Sequence, residues 1–150
     1  MDDVSFSVFS GETVALVGES GCGKSLTALA VMRLNDSSYI RESGTIEFEG
    51  KDVTQLTGRE LHSYRGGEAA MIFQEPMTSL NPVFKVGEQV AEVLAIHTDM
   101  NAAERKARVI ELFKTVRIDN PERRYHAYPN QMSGGQRQRV MIAMALAMNT

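Results

Sequence analysis

The 150-residue chain lacks several features that would place it outside the cell or within a membrane. Its single cysteine, Cys22, has no partner for an internal disulfide. The sequence does not begin with the charged segment and following apolar run that are typical of a signal peptide. The longest apolar stretch, residues 140–148, is much shorter than the roughly 18 residues that span a bilayer. We therefore expect a cytoplasmic protein, so that any membrane role passes through a partner.

The chain also has little net charge. A formal charge of −3 produces no field that would gather nucleic acid or anionic lipid, and nucleic acid is not an expected partner. Apolar residues make up 43% of the sequence, which is enough to bury a core without disulfides or metals. Internal repeats and low-complexity segments are absent from the sequence.

The first half of the chain has the pattern of strands arranged around one helix. The segments predicted as strands are 4–9, 13–17, 44–49 and 69–73. Residues 13–17 are almost wholly apolar, which is typical of a strand buried on both faces of a parallel sheet. Residues 44–49 and the following turn predict a hairpin arm. A helix is predicted at 24–34, because its apolar residues recur at helical spacing.

The rest of the chain is predicted to be mainly helical. A short helix follows Thr57, with Glu60 as capping partner, and ends at Gly66 and Gly67. Beyond it, apolar residues at helical spacing predict one helix from Val86 and another opened by Asn101. The remaining predictions are a loop at 121–130 and a helix at 135–148, and the capping residues of the last two helices are Asn101 with Glu104, and Ser133.

A phosphate-binding loop is predicted between the strand 13–17 and the helix 24–34. The spacing G-x-x-x-x-G-K-S/T is matched by Gly18, Glu19, Ser20, Gly21, Cys22, Gly23, Lys24 and Ser25. Backbone N–H groups of such a loop reach phosphate oxygens, and the next helix directs its positive end to the same anion. Lys24 adds a charge for the β and γ phosphates, and the Ser25 hydroxyl can ligate Mg²⁺. Residues 18–26, with Leu26 at the end of the segment, are therefore predicted to bind ATP and Mg²⁺.

Cys22 has two interpretations. We favour a small residue that fills a position in the loop over a redox role, although modification of its thiol would block the site.

A second glycine-containing cluster narrows the class of P-loop protein, because the loop alone also fits kinases, GTPases and recombinases. The cluster reads Gln131, Met132, Ser133, Gly134, Gly135, Gln136, Arg137, Gln138 and Arg139. A serine cap and the free N–H groups of a helix start form a second anion site. The cluster resembles the signature motif of ABC ATPases, usually written LSGGQ. In that family the motif faces the P-loop of a second subunit, which implies that Ser133, Gly134, Gly135 and Gln136 bind ATP across a head-to-tail dimer.

Phe73, Gln74, Glu75 and Pro76 resemble the Q-loop of the same family. The resemblance implies that Gln74 reaches Mg²⁺ and the attacking water, since an amide can accept toward a metal and donate toward water. Gln74 and Lys24 are thus the candidate catalytic residues, and Ser25 and Gln74 the candidate Mg²⁺ ligands.

Flanking sequence resembles the ATP-binding subunits of dipeptide, oligopeptide and nickel importers. The similar stretches are residues 77–82, 86–89, 128–129 and 137–145. The resemblance covers essentially the whole chain and implies uptake of peptides or related solutes.

Some family features are absent from the 150 residues. In the family an apolar strand ending in Asp-Glu and then a histidine follow the signature helix, and Thr150 comes before both. The chain's own histidines do not follow that order and are interpreted as surface or subdomain residues: His62, His97 and His126. Phe6 and Phe9 lie too close to the P-loop to be assigned as the adenine-stacking residue. We expect the chain alone to be marginally stable, to bind ATP weakly and not to hydrolyse it. Met132 replaces the leucine usual in the signature, a change that conserves volume.

The resemblance implies an α/β P-loop NTPase fold of the ABC type, with an N-terminal β-rich arm, a parallel core sheet and an α-helical subdomain. We expect one incomplete domain over 1–150. Residues 1–73 would hold the strands, P-loop and core, 74–132 the Q-loop and helical subdomain, and 133–150 the signature motif and its helix.

The expected partners are a second nucleotide-binding domain, identical or not, and transmembrane permease subunits at the cytoplasmic face of the inner membrane, with a solute-binding protein acting indirectly. Two alternatives stay open: a non-catalytic module in which ATP joins two subunits, and a soluble ABC ATPase outside transport.

Overall fold

The computed structural model describes residues 4–35, 43–73 and 79–147. The predicted Q-loop residue Gln74 lies outside the described residues. The chain forms two compact units, Met1–Leu56 and Thr57–Thr150. The functional division at residues 73/74 and 132/133 stays a prediction.

The first unit contains helix α1 (Lys24–Val31), which confirms the predicted helix but ends it three residues earlier. The chain turns at Arg33, whose φ of 53° is left-handed. The Leu34 N–H donates to the Leu29 carbonyl at 2.8 Å and the Arg33 N–H to the Ala30 carbonyl at 2.9 Å. These two bonds form a Schellman motif, which closes the helix before residue 34.

The predicted hairpin arm is confirmed in the first unit. Strands β1 (Glu47–Phe48) and β2 (Lys51–Asp52) pair antiparallel, with Glu47 opposite Asp52. The connecting residues Glu49 and Gly50 both have positive φ, 49° and 78°, as the commonest two-residue hairpin turn requires. A 3₁₀ turn, Val53–Gln55, follows directly, and Val53 is fully buried.

The other segments predicted as strands are not paired. Among the described residues β1 and β2 form the only sheet, and 4–9, 13–17 and 69–73 belong to no strand. The predicted buried strand 13–17 is exposed instead, with 93% of Val17 accessible to solvent. A run of apolar residues favours an extended chain, but a strand also needs another strand to accept and donate its backbone hydrogen bonds. These three strand predictions are therefore wrong for this chain.

The second unit begins with helix α2 (Gly58–Ser63) and a π-helical turn, Tyr64–Glu68. Thr57 is the N-cap residue, as predicted, but the predicted capping box with Glu60 is wrong, because the Thr57 side chain makes no capping hydrogen bond. The predicted stop at Gly66 and Gly67 is also wrong, because both lie inside the π turn. The His97 ring packs against Gly66, where a β-carbon would lie 2.7 Å from its Cε1 atom. Close packing, rather than helix termination, accounts for this glycine.

Two long helices form the centre of the second unit. Helix α3 (Val86–His97) buries Val86, Val90 and Leu94, one residue in four, on a single face. Helix α4 (Ala102–Thr115) packs against it. The predicted capping box of α4 is confirmed: the Asn101 Oδ1 accepts from the Glu104 N–H at 3.1 Å, and a Glu104 carboxylate oxygen accepts from the Asn101 N–H at 2.7 Å.

The predicted loop 121–130 is partly helical. It contains helix α5 (Pro121–Tyr125) and the start of a 3₁₀ turn, Pro129–Gln131. Both begin with proline, whose fixed φ suits the first position of a helix, so these prolines start structure rather than break it. Helix α6 (Gly134–Leu146) follows and buries Val140, Met141 and Ala143 in the core of the second unit.

A membrane-spanning helix is not found in the part of the chain that the structure describes, where the longest helix, α4, has 14 residues.

Candidate functional site

The predicted phosphate-binding loop leads into α1 within the first unit. Gly21 and Gly23 have φ of 84° and 98°, which side chains other than glycine rarely allow. A β-carbon at Gly18 would lie 2.6 Å from the Cys22 sulfur, so the loop also closes on itself tightly. The backbone of this loop therefore requires glycine at positions 21 and 23, and its close packing favours glycine at position 18.

The Lys24 ammonium group organises the loop. Its Nζ donates to the carbonyl oxygens of Gly18 and Glu19, at 2.7 Å each, and lies 3.4 Å from the Cys22 sulfur. The Cys22 N–H also donates to the Glu19 carbonyl at 3.3 Å, which tightens the same turn. The structure thus brings the lysine, the loop carbonyls and the thiol together. Phosphate oxygens are stronger acceptors for an ammonium group than neutral carbonyls, so an anion can compete for Lys24.

The start of α1 has the features of an anion-binding terminus. Gly23 at the N-cap has no side chain to cap the free N–H groups, and the first turn carries no acidic residue. Ser25 and Leu26 are exposed, as are Glu19 and Ser20. The Ser25 hydroxyl is therefore accessible to a metal ion bound with phosphate.

The predicted signature residues lie at the start of α6, in the second unit. The predicted Ser133 cap is confirmed: its Oγ accepts from the Gln136 N–H at 3.3 Å. The Gln136 side-chain oxygen accepts from the Ser133 N–H at 3.1 Å, which completes a capping box that the sequence analysis missed. The pattern S-x-x-Q could have revealed it. Gln136 thus shapes the helix start through its side chain.

Gly134 and Gly135 are not required by the fold of this chain. Neither has positive φ, and a β-carbon on either would meet no atom within 4 Å. Glycine in a helix is unfavourable relative to alanine by up to about 1 kcal/mol. The two glycines keep the helix start open to close approach from outside.

The signature turn is held by the core and by arginines. Met132 is buried just before Ser133, and its carbonyl accepts from the Arg137 Nε at 3.1 Å. The Gln131 carbonyl accepts from Arg124 at 3.3 Å, a contact the sequence analysis did not predict. These contacts fix the direction in which Gly134 and Gly135 present their backbone.

The histidines occupy the places expected of them. His62 and His126 are exposed and His97 is half-buried, and the rings of His62 and His97 stack with centroids 5.5 Å apart.

Residues 1–150 match the family model described as ABC transporter. The chain is 50% identical over 145 residues to the probable peptide ABC transporter ATP-binding protein y4tR of Sinorhizobium fredii, covering 96% of this chain and 43% of that protein. It is 50% identical over 150 residues to the oligopeptide transport ATP-binding protein AppD of Bacillus subtilis, covering 99% and 46%. It is 51% identical over 148 residues to the peptidoglycan transport ATP-binding protein YejF of Agrobacterium fabrum, covering 98% and 27%. The chain thus spans less than half the length of these relatives.

The solved structures of the ATP-binding cassette MJ0796 have the same fold. The dimeric post-hydrolysis form bound to ADP and Pi superposes with a TM-score of 0.74 at 31% identity, covering 87% of this chain and 54% of that one. A second dimeric structure of MJ0796, described as a bacterial ABC transporter cassette, gives the same values. The fold class predicted from the sequence is therefore confirmed, although the segments 4–9, 13–17 and 69–73 are unpaired here.

Proposed function

Because the chain belongs to the ABC transporter family, we propose that it binds Mg²⁺-ATP at residues 18–26 and forms the ATP-binding part of a peptide importer. The observation that carries the proposal is the geometry of Lys24, whose ammonium group is held by two loop carbonyls beside the uncapped start of α1. Both features favour an anion with several oxygens.

The residues present fit the cofactor. The β and γ phosphates would be held by Lys24 and by the N–H groups of the loop and of the first turn of α1. Mg²⁺ would be held by the exposed Ser25 hydroxyl and by phosphate oxygens, since magnesium sites commonly use few protein ligands. Gln74 is assigned to the same ion by its place in the sequence alone. Bound Mg²⁺-ATP would supply the free energy that the whole protein uses for transport.

The second part of the ATP site would come from another nucleotide-binding domain. Ser133, Gly134, Gly135 and Gln136 would accept the ATP held by the P-loop of a partner, in a head-to-tail pair. Support comes from the two glycines that the chain's own packing does not require. The partner is a second copy of this chain or a related subunit.

Peptides are the proposed transported solutes because relatives at about 50% identity are named for peptide or oligopeptide transport. Permease subunits and a solute-binding protein would select the solute. This chain would bind the permease subunits at the cytoplasmic face of the membrane. ATP hydrolysis would be coupled to the uptake of these solutes.

Titration of Mg²⁺-ATP into the purified chain, followed by calorimetry, tests the proposal. We expect saturable binding by the unaltered chain, loss of about tenfold or more in affinity for Lys24→Ala, and no change for Lys114→Ala. Lys114→Ala is a matched control because it also removes an exposed ammonium group, but one that lies far from the motif in sequence. Ser25→Ala should lower affinity in Mg²⁺ but not in EDTA. Equal binding by the Lys24 and Lys114 variants would contradict the proposal.

A further inference from the structure

The far end of the phosphate-binding helix is held by one arginine. The guanidinium Nη1 of Arg33 donates to the carbonyl oxygens of Val53 at 2.9 Å and Thr54 at 2.5 Å, and lies 3.4 Å from that of Leu56. The donor and its acceptors are 20 to 23 residues apart in sequence and lie in the same unit. These bonds tie the C-terminal end of α1 to the 3₁₀ turn that follows the hairpin.

The acceptors suit a cation. The carbonyls of a short helical turn point toward its C-terminal end, where their dipoles present negative charge. The Val53 carbonyl also accepts from the Leu56 N–H at 3.3 Å, the bond that closes the turn. Asp52 fixes the start of the same turn, because its carboxylate accepts from the Thr54 N–H at 2.9 Å and from the Thr54 hydroxyl at 2.6 Å. The turn is therefore held at one end by Asp52 and at the other by Arg33.

Arg33 occupies a position where the backbone favours glycine. With φ of 53° it is the left-handed residue of the Schellman motif that ends α1, a place usually taken by glycine because a β-carbon is unfavourable there. An arginine in this conformation is strained, and contacts of its side chain must offset the strain. The bonds to the turn supply them.

The helix depends on this anchor because its own packing is thin. None of the residues of α1 is fully buried, and the buried Met32 follows it at the C-cap. The opposite end carries Lys24 and the uncapped N–H groups. For a short helix, the direction of the N-terminal N–H groups is set by how the rest of the helix is fixed.

We infer that Arg33 is a positioning residue for the phosphate site: by anchoring α1 to the turn Val53–Gln55, it fixes the direction in which the first turn of α1 meets phosphate. It acts through the helix and does not touch the nucleotide. This inference rests on the proposed function, since it assigns a role toward the same ATP site.

Three substitutions distinguish the effect of the guanidinium hydrogen bonds from the effect of the left-handed backbone at residue 33. Arg33→Ala removes the guanidinium group and keeps the strain. Arg33→Gly removes the guanidinium and relieves the strain, so it should strengthen the helix end if the cap alone matters. Arg33→Lys keeps a positive donor and should recover part of the function. Arg123→Ala is the control, because Arg123 is an exposed arginine in the other unit.

Hydrogen exchange and nucleotide affinity are measured on each variant. We expect the α1 amides to exchange about tenfold faster in the Ala and Gly variants than in the control, with Lys between them. We also expect Mg²⁺-ATP affinity to fall roughly fivefold in both, at concentrations of urea where every variant stays folded. A purely structural arginine would lower the unfolding midpoint and leave the affinity of the folded chain unchanged.

The outcomes keep this inference distinct from the proposed function. If Arg33→Gly exchanges no faster than the unaltered chain, the anchor is disproved. If it exchanges faster but binds ATP equally well, the positioning role is disproved. If the unaltered chain binds no ATP, the proposed function fails, and the inferred role of Arg33 toward phosphate fails with it. The exchange rates then report only whether Arg33 anchors the helix.

Discussion

The backbone of Gly87 lies directly against Tyr125. A β-carbon at Gly87 would be 2.4 Å from the Cγ and Cδ2 atoms of the tyrosine ring and 2.6 Å from its carbonyl oxygen. The neighbouring Val86 N–H donates to the Ala127 carbonyl at 2.9 Å, so the start of α3 and the end of α5 are joined at this point. The packing of the helical unit that carries the signature turn therefore depends on glycine, which has no side chain, at position 87.

Gly87→Ala should therefore destabilise the helical unit. We expect a loss of about 1–3 kcal/mol in the free energy of unfolding, because backbone atoms as well as the Tyr125 ring must move. Urea denaturation followed by circular dichroism measures it. Gly67→Ala is the matched control, since a β-carbon there meets no atom within 4 Å. Equal stability of the two variants would contradict the packing described.

Gly135→Ala should separate stability from function. Alanine fits the helix start without contact and is a better helix former, so the free energy of unfolding should be unchanged or rise by up to about 1 kcal/mol. ATP-dependent self-association should weaken, because the methyl group would occupy the side that we propose faces the partner's nucleotide. Thermal denaturation measures the stability, and sedimentation velocity measures the self-association. A variant that associates as well as the unaltered chain would remove the reason for glycine at this position.

The carboxyl group of Asp52 should titrate below its usual value. The hydrogen bond from the Thr54 hydroxyl, and then that from the Thr54 N–H, lowers the pKa of Asp52 below 3.8. Because the folded pKa is lowered, the contribution of Asp52 to stability is present above pH 3.8 and is lost as pH falls through the folded pKa.

Thr54→Val tests the cause of this shift. The variant keeps the shape of the side chain and the N–H donor but removes the hydroxyl donor, so the pKa of Asp52 should rise toward 3.8. Carbon-13 NMR of the side-chain carboxyl group follows the titration. An unchanged pKa would show that the hydroxyl bond does not stabilise the carboxylate.

Asn101→Ala should weaken the start of α4. Its side chain accepts from the N–H groups of Ala103 and Glu104, and an N-cap of this kind contributes about 1 kcal/mol. Asn101→Asp keeps the acceptor and should retain most of that stability. Urea denaturation of both variants provides the comparison, and a loss of the same size in each would argue against a capping role.

Local features of the fold could be predicted from the sequence. The capping box of Asn101 and Glu104, the helix from Val86 and the Ser133 cap follow from residues within a few positions of one another. Strand pairing could be predicted only for the local hairpin of β1 and β2, because other pairings depend on chain segments far apart in sequence. The same holds for Gly87, because the residue that leaves no room for a side chain there, Tyr125, lies 38 residues later.

The candidate site shows the same division. The spacing of Lys24 and Ser25 relative to the glycines indicated a phosphate loop, since the motif is contiguous. The anchor formed by Arg33 crosses 20 residues to Val53 and leaves no pattern in the sequence. The hydrogen bond between Gln136 and Ser133 was not predicted, although the two residues have the three-residue spacing of a capping box.

The most direct test of the account mixes two defective chains. Lys24→Ala removes the P-loop charge, and Gly135→Asp places a carboxylate at the signature turn. In a head-to-tail pair of these variants, one ATP site keeps both an intact P-loop and an intact signature. Sedimentation velocity in saturating Mg²⁺-ATP should show dimers for the unaltered chain, monomers for each variant alone, and recovered dimers for the mixture. A mixture that stays monomeric under conditions where the unaltered chain forms dimers would contradict the composite site, and a monomeric unaltered chain would exclude a second copy as the partner.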